Sequence, residues 1–443
     1  MSLPDAIEAG DIFPDTTTVD RADRLSIGGC DLVDLAAEYG TPLYVYDEAT
    51  IRARARAFRE ALRSYPARSL VCYASKAYCA PWLLRIVADE GLGLDAVSGG
   101  ELHAAIAANF PRDRIYVHGN NKDEVELEQA LAGHIGRVVV DNLAEIELLG
   151  RLARTRGMRQ PVLIRVGPGV DTRTHAHVQT GGLDTKFGLD IASGAAAEGV
   201  KAVLAQPSLD LRGLHAHIGS QIHDIEPYAR TVERLFGFAA EMTTRHRIDL
   251  REVSPGGGYG VRYTTADPRI SARDLIAQVA GIVVAAATSH GYGSALPDLT
   301  IEPGRSLVAS AAVALYTVGS IKTIPGVRTY VAVNGGMADN IRPMAYGSNY
   351  SAVLAGRVSD GPLAEVAIAG RYCESGDVLI REARIAMPRL GDVVAIPTAG
   401  AYQLSMASNY NMALRPAVIL VNQGRARLVR RRETFADLLA ADL

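Results

Sequence analysis

SLVCYASKAYCAPWLLRIVADEGLGLDAVS, residues 69–98, contains one full turn of the pattern that decides the fold. SLVCYA (69–74) is a short apolar run of strand length, and PWLLRIVADEG repeats apolar positions at helical spacing. GLDAVS (93–98) then opens a second strand. The alternation recurs through RIYVHG (114–119), RVVVDN (137–142), VLIRVG (162–167), LRGLHAHIG (211–219), LREVSPGGG (250–258) and DLTIEPG (298–304). Helical segments such as DLIAQVAGIVVAAATSHG lie between these runs. Eight strand–helix units predict a closed parallel (β/α)8 barrel of the TIM type.

Beyond about residue 305 the texture changes. RTYVAVNGG, AEVAIAG, GDVVAIP, AVILVN and RARLVRR are short β-rich runs broken by Gly, Asn and Pro. They predict an antiparallel β domain, sandwich-like or barrel-like. The first 45 or so residues fit no barrel unit and are expected to lend that domain a strand or two. The expected division is therefore 46–304 for the barrel, and 1–45 with 305–443 for the β domain. A chain of 443 residues is long enough for both.

Bulk composition excludes several classes. With 48% hydrophobic residues, 21% charged residues and a net charge of −3, nothing favours nucleic acid or an anionic membrane as partner. The N-terminus lacks the basic start and apolar run of a secretory signal, and no uninterrupted apolar stretch approaches membrane-spanning length. Cys30, Cys72, Cys79 and Cys373 are too few and too scattered for a disulfide framework, which fits a reducing cytoplasm. No repeat and no low-complexity tract is present.

In a barrel of this kind, the loops after the strands build the site. Here almost every strand delivers a reactive or glycine-rich feature to that rim. Lys76 follows the first run; Asp95 lies in the second, and His118 ends the third. The fifth run holds Arg165, the sixth leads to His217 and Ser220, and the seventh ends in Gly256-Gly257-Gly258. The eighth ends in Glu302-Pro303-Gly304-Arg305. Singly these are weak signals. Lys76 alone reads as a solvated loop lysine, although a desolvated lysine is a nucleophile able to form an imine with an aldehyde cofactor. Three glycines are an ordinary turn or a phosphate cradle. His215 and His217 have the spacing of a zinc pair, as do His175 and His177, but further ligands are missing, and no metal is expected. Glu302 and Arg305 read as an ion pair, or as a partner for a cofactor nitrogen. Cys373 alone reads as a small buried apolar group.

Together the motifs YASKA, LDAVSGGEL, YVHGNNK, HAHIGSQ, GGGYG, EPGRS, NIRPMAY, YCESGD and AYQLSMASNYN resemble, in order and context, the pyridoxal-phosphate (PLP) decarboxylases of the ornithine, diaminopimelate and arginine decarboxylase family, which have the alanine-racemase-like fold. The resemblance spans about residues 40 to 437, and the last four motifs are similar to the diaminopimelate branch. It implies that Lys76 carries PLP as an imine and that His217 stacks on the ring. Ser220, Gly256–Gly258, Gly304 and Tyr402 would hold the phosphate, and Glu302 would meet the pyridine nitrogen. Asp95, His118, Arg165, Pro303 and Arg305 would complete the cofactor site. Arg305, Arg342, Tyr346, Glu374 and Tyr402 would hold substrate. Cys373 would donate a proton from a second subunit, which makes the expected assembly a homodimer with shared sites.

The chemistry agrees. A carboxylate beside the ring nitrogen favours its protonated form, the electron sink that decarboxylation requires, whereas a racemase of this fold places an arginine there. Where ornithine-type relatives place an acidic residue, NIRPMAY offers the guanidinium of Arg342, whose fork suits a distal carboxylate. The implied reaction converts meso-2,6-diaminopimelate at its D-centre to L-lysine and CO2, the last step of bacterial-type lysine biosynthesis. The alternatives are a relative acting on D-lysine, D-ornithine or a carrier-bound acid, and a catalytically silent binding relative. Two departures stand out: Tyr78 where many relatives have Asn, and MALRPA after SMASNYN.

Overall fold

A computed structural model describes residues 5–8, 10–170, 185–269 and 271–442. The His175–His177 pair lies outside the described residues. The chain divides into two compact units, one of residues 55–261 and 270–306, the other of 1–54, 262–269 and 307–443.

The first unit is the barrel. Its strands are β1 (Ser69–Ala74), β2 (Gly93–Ala96), β3 (Ile115–Val117), β4 (Arg137–Val140), β5 (Gln160–Gly167), β6 (Leu209–His215), β7 (Glu252–Gly257) and β8 (Asp298–Glu302). Each pairs in parallel with the next, and β8 pairs with β1, so the ring closes. A short strand, Leu189–Asp190, adds to β5. The helices start where the sequence supplies caps. The Ser98 hydroxyl accepts from the Glu101 N–H, Asp123 and Glu126 form a capping box, and Asn142 accepts from Glu145.

Inside the ring, Cys72, Tyr116, Val139 and Leu163 pack together from four strands. Toward the strand N-termini lies a polar layer. Glu252 accepts from the Tyr116 hydroxyl at 2.6 Å, from Thr300 at 3.0 Å and from Arg137 at 2.8 Å, which satisfies a carboxylate that would otherwise be costly to bury. Helix Ala272–Ser289 is long and apolar enough, by length and composition alone, to cross a membrane. In the barrel it runs beside helix Glu226–His246 with Leu275, Ile276, Val279 and Val283 buried, as a core helix does.

In the second unit a sheet runs in the order Val378–Ala386, Leu363–Ala369, Arg328–Val333, Ala312–Ile324, Leu43–Asp47, Ala417–Asn422 and Arg425–Arg430, with Val393–Ile396 also paired to Ala312–Ile324. Most pairs are antiparallel as expected. Two are parallel: Arg328–Val333 with Leu363–Ala369, and Leu43–Asp47 with Ala417–Asn422. The second arises because a strand from the N-terminal segment inserts between two strands of the C-terminal one. That segment contributes more than a strand or two: Thr18–Val19, Leu25–Ile27 and Cys30–Asp31 form a small sheet of their own. Ile12, Phe13, Leu25, Ile27, Leu32 and Leu35 share a core with Val313, Leu315, Ile419 and Val421.

Candidate active site

Strand ends of the barrel converge on Glu302, the last residue of β8 and buried. One of its oxygens, Oε2, lies 2.9 Å from His215 Nε2, and the other, Oε1, accepts from the Ser254 hydroxyl at 3.1 Å. His118 Nε2 stands 3.6 Å from Oε1 and 3.7 Å from Asp95 Oδ1. Burial alone would raise the Glu302 carboxyl; the charge and hydrogen bond of His215, with His118, hold it below the usual carboxylate range. Burial pushes His118 well below its ordinary value and Asp95 well above its own, the latter reinforced by the Glu302 charge. Opposite charges on His118 and Glu302 would favour each other, but desolvation outweighs that attraction at His118, and the closer His215 contact at 2.9 Å is the main support for an ionised Glu302.

Around this cluster the rim is shaped by close approaches. Gly256 and Gly258 have φ of +81° and +97°, and a Cβ on either would strike the carbonyl of Ala216 or Gly219. The Gly257 N–H donates to His217 Nδ1 at 3.1 Å, and the Gly257 carbonyl accepts from the Tyr228 hydroxyl at 3.0 Å. Burial and the charge of Lys76 keep His217 well below its ordinary value. Lys76 itself is exposed between buried Ser75 and Ala77, on a one-turn helix that the Ser75 hydroxyl ties to the Asp95 carbonyl at 2.7 Å. Arg305 is buried and donates to Ser220 Oγ at 3.0 Å. A Cβ on Gly304 would lie 3.0 Å from that of Ala74, and the Pro303 carbonyl accepts from the Ala74 N–H. Arg165 lies 4.5 Å above the Phe187 ring, its Nε 3.9 Å from Asp141 Oδ2.

The β unit holds the other expected residues. Arg342 is buried at the start of helix Arg342–Tyr346. Its guanidinium lies 5.9, 5.1 and 5.7 Å from the rings of Tyr263, Tyr346 and Tyr402, and it donates to Ser348 Oγ at 3.2 Å. Its buried Nε has no hydrogen-bond partner, and the ionisable groups that act on it are tyrosines, with no carboxylate at ion-pair distance among the described residues. Tyr402 has φ of +59°, a costly conformation for a bulky side chain. Cys373 is exposed; its N–H donates to Asn411 Oδ1 at 3.0 Å and its carbonyl accepts from Tyr410 at 3.3 Å. Glu374 Oε1 lies 3.4 Å from the Gly376 N–H. This loop is organised by Asp377, whose carboxylate accepts from the N–H groups of Met337 at 2.7 Å and Tyr372 at 2.8 Å.

Thus Lys76, Asp95, His118, Arg165, His217, Ser220, Gly256–Gly258 and Glu302 to Arg305 gather in the barrel unit. Arg342, Tyr346 and Tyr402 gather in the β unit, with Cys373 and Glu374 on a loop of the same unit. His215 and His217 do not act as a pair. One faces Glu302, and the other takes the Gly257 N–H. His118, His215 and Glu302 do bring ligand-type atoms within 4.8 Å of one another. Sequence reading leaves His215 undecided and passes over Ser254 and Tyr263, whose patterns are those of core residues. The HAH spacing was the one available signal.

The barrel residues suit a phosphorylated pyridine aldehyde. The glycine turn is packed against neighbouring backbone too closely for any side chain, Ser220 and Arg305 supply donors at the rim, and buried Asp95 Oδ1 and His118 Nε2 lack hydrogen-bond partners.

Residues 48–309 match the family model described as pyridoxal-dependent decarboxylase, pyridoxal binding domain. The chain is 44% identical over 428 residues to a diaminopimelate decarboxylase of Bacillus subtilis, covering 97% of each. It is 40% identical to one from Mycobacterium tuberculosis, covering 98% of each. The crystal structure of M. jannaschii diaminopimelate decarboxylase in complex with L-lysine superposes with a TM-score of 0.90 at 35% identity, covering 97% of this chain and 98% of that one. Motifs, barrel, site geometry and relatives agree, and the chain belongs to the family of pyridoxal-phosphate-dependent decarboxylases that includes the diaminopimelate decarboxylases.

Proposed function

We propose that this chain decarboxylates meso-2,6-diaminopimelate at its D-centre to L-lysine and CO2, with PLP at the barrel rim. The observation that carries the substrate reading is Arg342, a buried cation among tyrosines with no carboxylate partner among the described residues. Arg342 with Arg305 would take the distal carboxylate of the substrate, Glu374 its distal ammonium, and Tyr346 the wall between. A plain diamino mono-acid would leave Arg342 without its anion.

When bound, the cofactor supplies the electron sink for the carbanion left by loss of CO2. Lys76 would hold it covalently and His217 would cover one ring face. Gly256–Gly258, Gly304, Ser220 and Tyr402 would hold the phosphate, with Asp95, His118, Arg165, Pro303 and Arg305 completing the walls. Glu302 would face the ring nitrogen, where an opposite charge shifts the proton equilibrium by about 1–3 pKa units, or ~1.4–4 kcal/mol. Cys373 would return the proton to Cα.

Two further proposals concern the whole protein. A homodimer with shared sites is supported by the exposure of Cys373 beside exposed Tyr410, with exposed Met344 packed against Gly376 of the same loop, apolar side chains that call for cover. A cytoplasmic location is supported by the four cysteines being free thiols.

The test is lysine release from the meso isomer by PLP-loaded protein, beside the LL isomer, D-lysine, and L- and D-ornithine. Release from the meso isomer alone is expected. Turnover of a mono-acid instead would keep the decarboxylase chemistry and remove the roles given to Arg342 and Glu374.

A further inference from the structure

Strands β6 and β7 pair in register with His215 opposite Ser254, both buried. The two side chains reach the same carboxylate from the same cross-strand position. His215 Nε2 meets Glu302 Oε2 at 2.9 Å, and the Ser254 hydroxyl meets Oε1 at 3.1 Å. Each oxygen therefore has its own donor, which fixes the plane of the carboxylate.

Tautomer and connectivity sharpen the picture. His215 Nδ1 is buried and has no hydrogen-bond partner. Nδ1 offers no acceptor for a proton to meet, so the hydrogen-bonding N–H of the ring is Nε2–H, directed at Glu302. Ser254 Oγ donates its one proton to Glu302 and accepts the Gly256 N–H at 3.2 Å. One hydroxyl thus joins the carboxylate to the glycine turn, two features that would serve opposite ends of the cofactor.

We propose that His215 and Ser254 are positioning residues for Glu302: as a cross-strand pair they fix its orientation and keep it ionised toward the cofactor ring nitrogen, and Ser254 couples that orientation to the phosphate turn. The proposal rests on the reading that the barrel binds PLP through Glu302. The other groups facing Glu302 include Asp95 from β2, His118 just beyond β3, Arg165 from β5, Cys72 from β1, His217 beyond β6 and Tyr259 beyond β7. Only His215 and Ser254 hydrogen-bond to its oxygens among the described residues.

The experiment uses full-length protein loaded with ring-15N pyridoxal phosphate. It compares the parent with His215→Leu, His215→Gln and Ser254→Ala by solid-state NMR of the ring nitrogen, cofactor Kd, and the kcat and KM for meso-diaminopimelate. In the parent the nitrogen resonance is expected at its protonated position. In His215→Leu it moves toward the unprotonated position, with kcat lowered about tenfold to a hundredfold, the range for removing the partner of an ion-holding group. KM changes little. His215→Gln, which keeps an N–H donor, recovers part of both. Ser254→Ala moves the resonance and also weakens cofactor binding, because the Gly256 N–H loses its acceptor. Should His215→Leu fail to fold, Ser254→Ala and His215→Gln carry the test. A parental resonance in these variants would overturn the proposal, even with kcat reduced, since loss of packing alone gives that result. A parent that takes up no cofactor would overturn the cofactor reading and this proposal together, an outcome distinct from loaded variants with unchanged spectra.

Discussion

A buried guanidinium with no carboxylate partner among the described residues is an expensive thing to keep, and the tyrosines around Arg342 offset only part of that cost. The geometry is that of a receptor whose anion arrives with substrate. Arg342→Ala should raise KM for meso-diaminopimelate by roughly tenfold to a hundredfold, because hydrogen bonds to a charged group are each worth about 1.5–3 kcal/mol. Arg342→Lys should recover little, lacking the planar fork. Unchanged steady-state kinetics in Arg342→Ala would remove the substrate argument. His118 gives a different kind of prediction. Burial holds its imidazole well below the ordinary value, against the pull of Glu302. Above pH ~6.5 neither folded nor unfolded chain carries the proton, and this group has no effect on stability. Below that, the unfolded chain takes up a proton that the folded chain refuses, so stability falls as pH falls, by about 1.4 kcal/mol per unit for this one group. Denaturant midpoints of cofactor-free protein, followed from neutral pH downward, should therefore decline more gently in His118→Asn than in the parent. Parallel curves would mean that His118 charges freely in the folded state. Residues at strand ends, such as Lys76, His217 and Glu302, are legible in sequence because barrel geometry sends every such position to one rim. Ser254 was not, since a serine within a buried strand has the same pattern whether or not its hydroxyl has a task.

At the scale of elements, the strand Leu43–Asp47 does more than fill a sheet. The Tyr44 hydroxyl lies 3.0 Å from the Asp339 carbonyl and 2.9 Å from Gln403 Oε1, sharing one proton between segments that lead to Arg342 and Tyr402. The Tyr46 hydroxyl donates to the Gly400 carbonyl at 3.0 Å, on the turn before Tyr402. Asp339 is fixed in addition by the Tyr316 hydroxyl and by the Gly336 N–H at 3.1 Å. Tyr44→Phe deletes one oxygen and leaves the ring packed. It should cost about 1 kcal/mol of stability, the usual net value of one hydrogen bond. It should also raise KM severalfold with kcat nearly unchanged, since it loosens Arg342 and Tyr402 together. A stability loss with unaltered KM would show that the strand supports the sheet and not the site. Pattern alone located all eight barrel strands, with β1 at Ser69–Ala74 as expected but β6 ending at His215 where the run LRGLHAHIG extends to 219, because buried parallel strands are continuous apolar runs whose ends the pattern does not mark. It did not locate Leu43–Asp47 as a central strand, nor the long strand Ala312–Ile324. A strand bounded on both sides by partners distant in sequence is defined by those partners, and its own residues do not name them. The two parallel pairs of the β unit escaped for the same reason.

For the whole molecule, the decisive feature is a proposed acid on an open surface. Cys373 is exposed, and its loop is built rather than loose: Asp377 accepts two backbone N–H groups, and a Cβ on Gly336 would come within 2.5 Å of its carboxylate. A thiol that returns a proton to carbon in a water-filled setting would compete poorly with solvent, so a site of this kind needs a cover. Tyr410 beside Cys373 and Met344 against Gly376 of the same loop expose apolar area of the sort an obligate interface buries. If two copies meet there in a two-fold arrangement, each active site draws its Lys76 from one protomer and its Cys373 from the partner. Lys76→Ala and Cys373→Ala should then each abolish nearly all turnover as homodimers. Mixed, dissociated and reassociated, they should regain activity, because half the dimers at random pairing are mixed and each of these carries one intact site, giving roughly a quarter of the parental rate. Recovery that tracks the fraction of mixed dimer would establish the sharing. If reassociated mixtures stay inactive while size measurements confirm mixed dimers, Lys76 and Cys373 of a single chain serve the same site, and the exposed surface around Cys373 has another use.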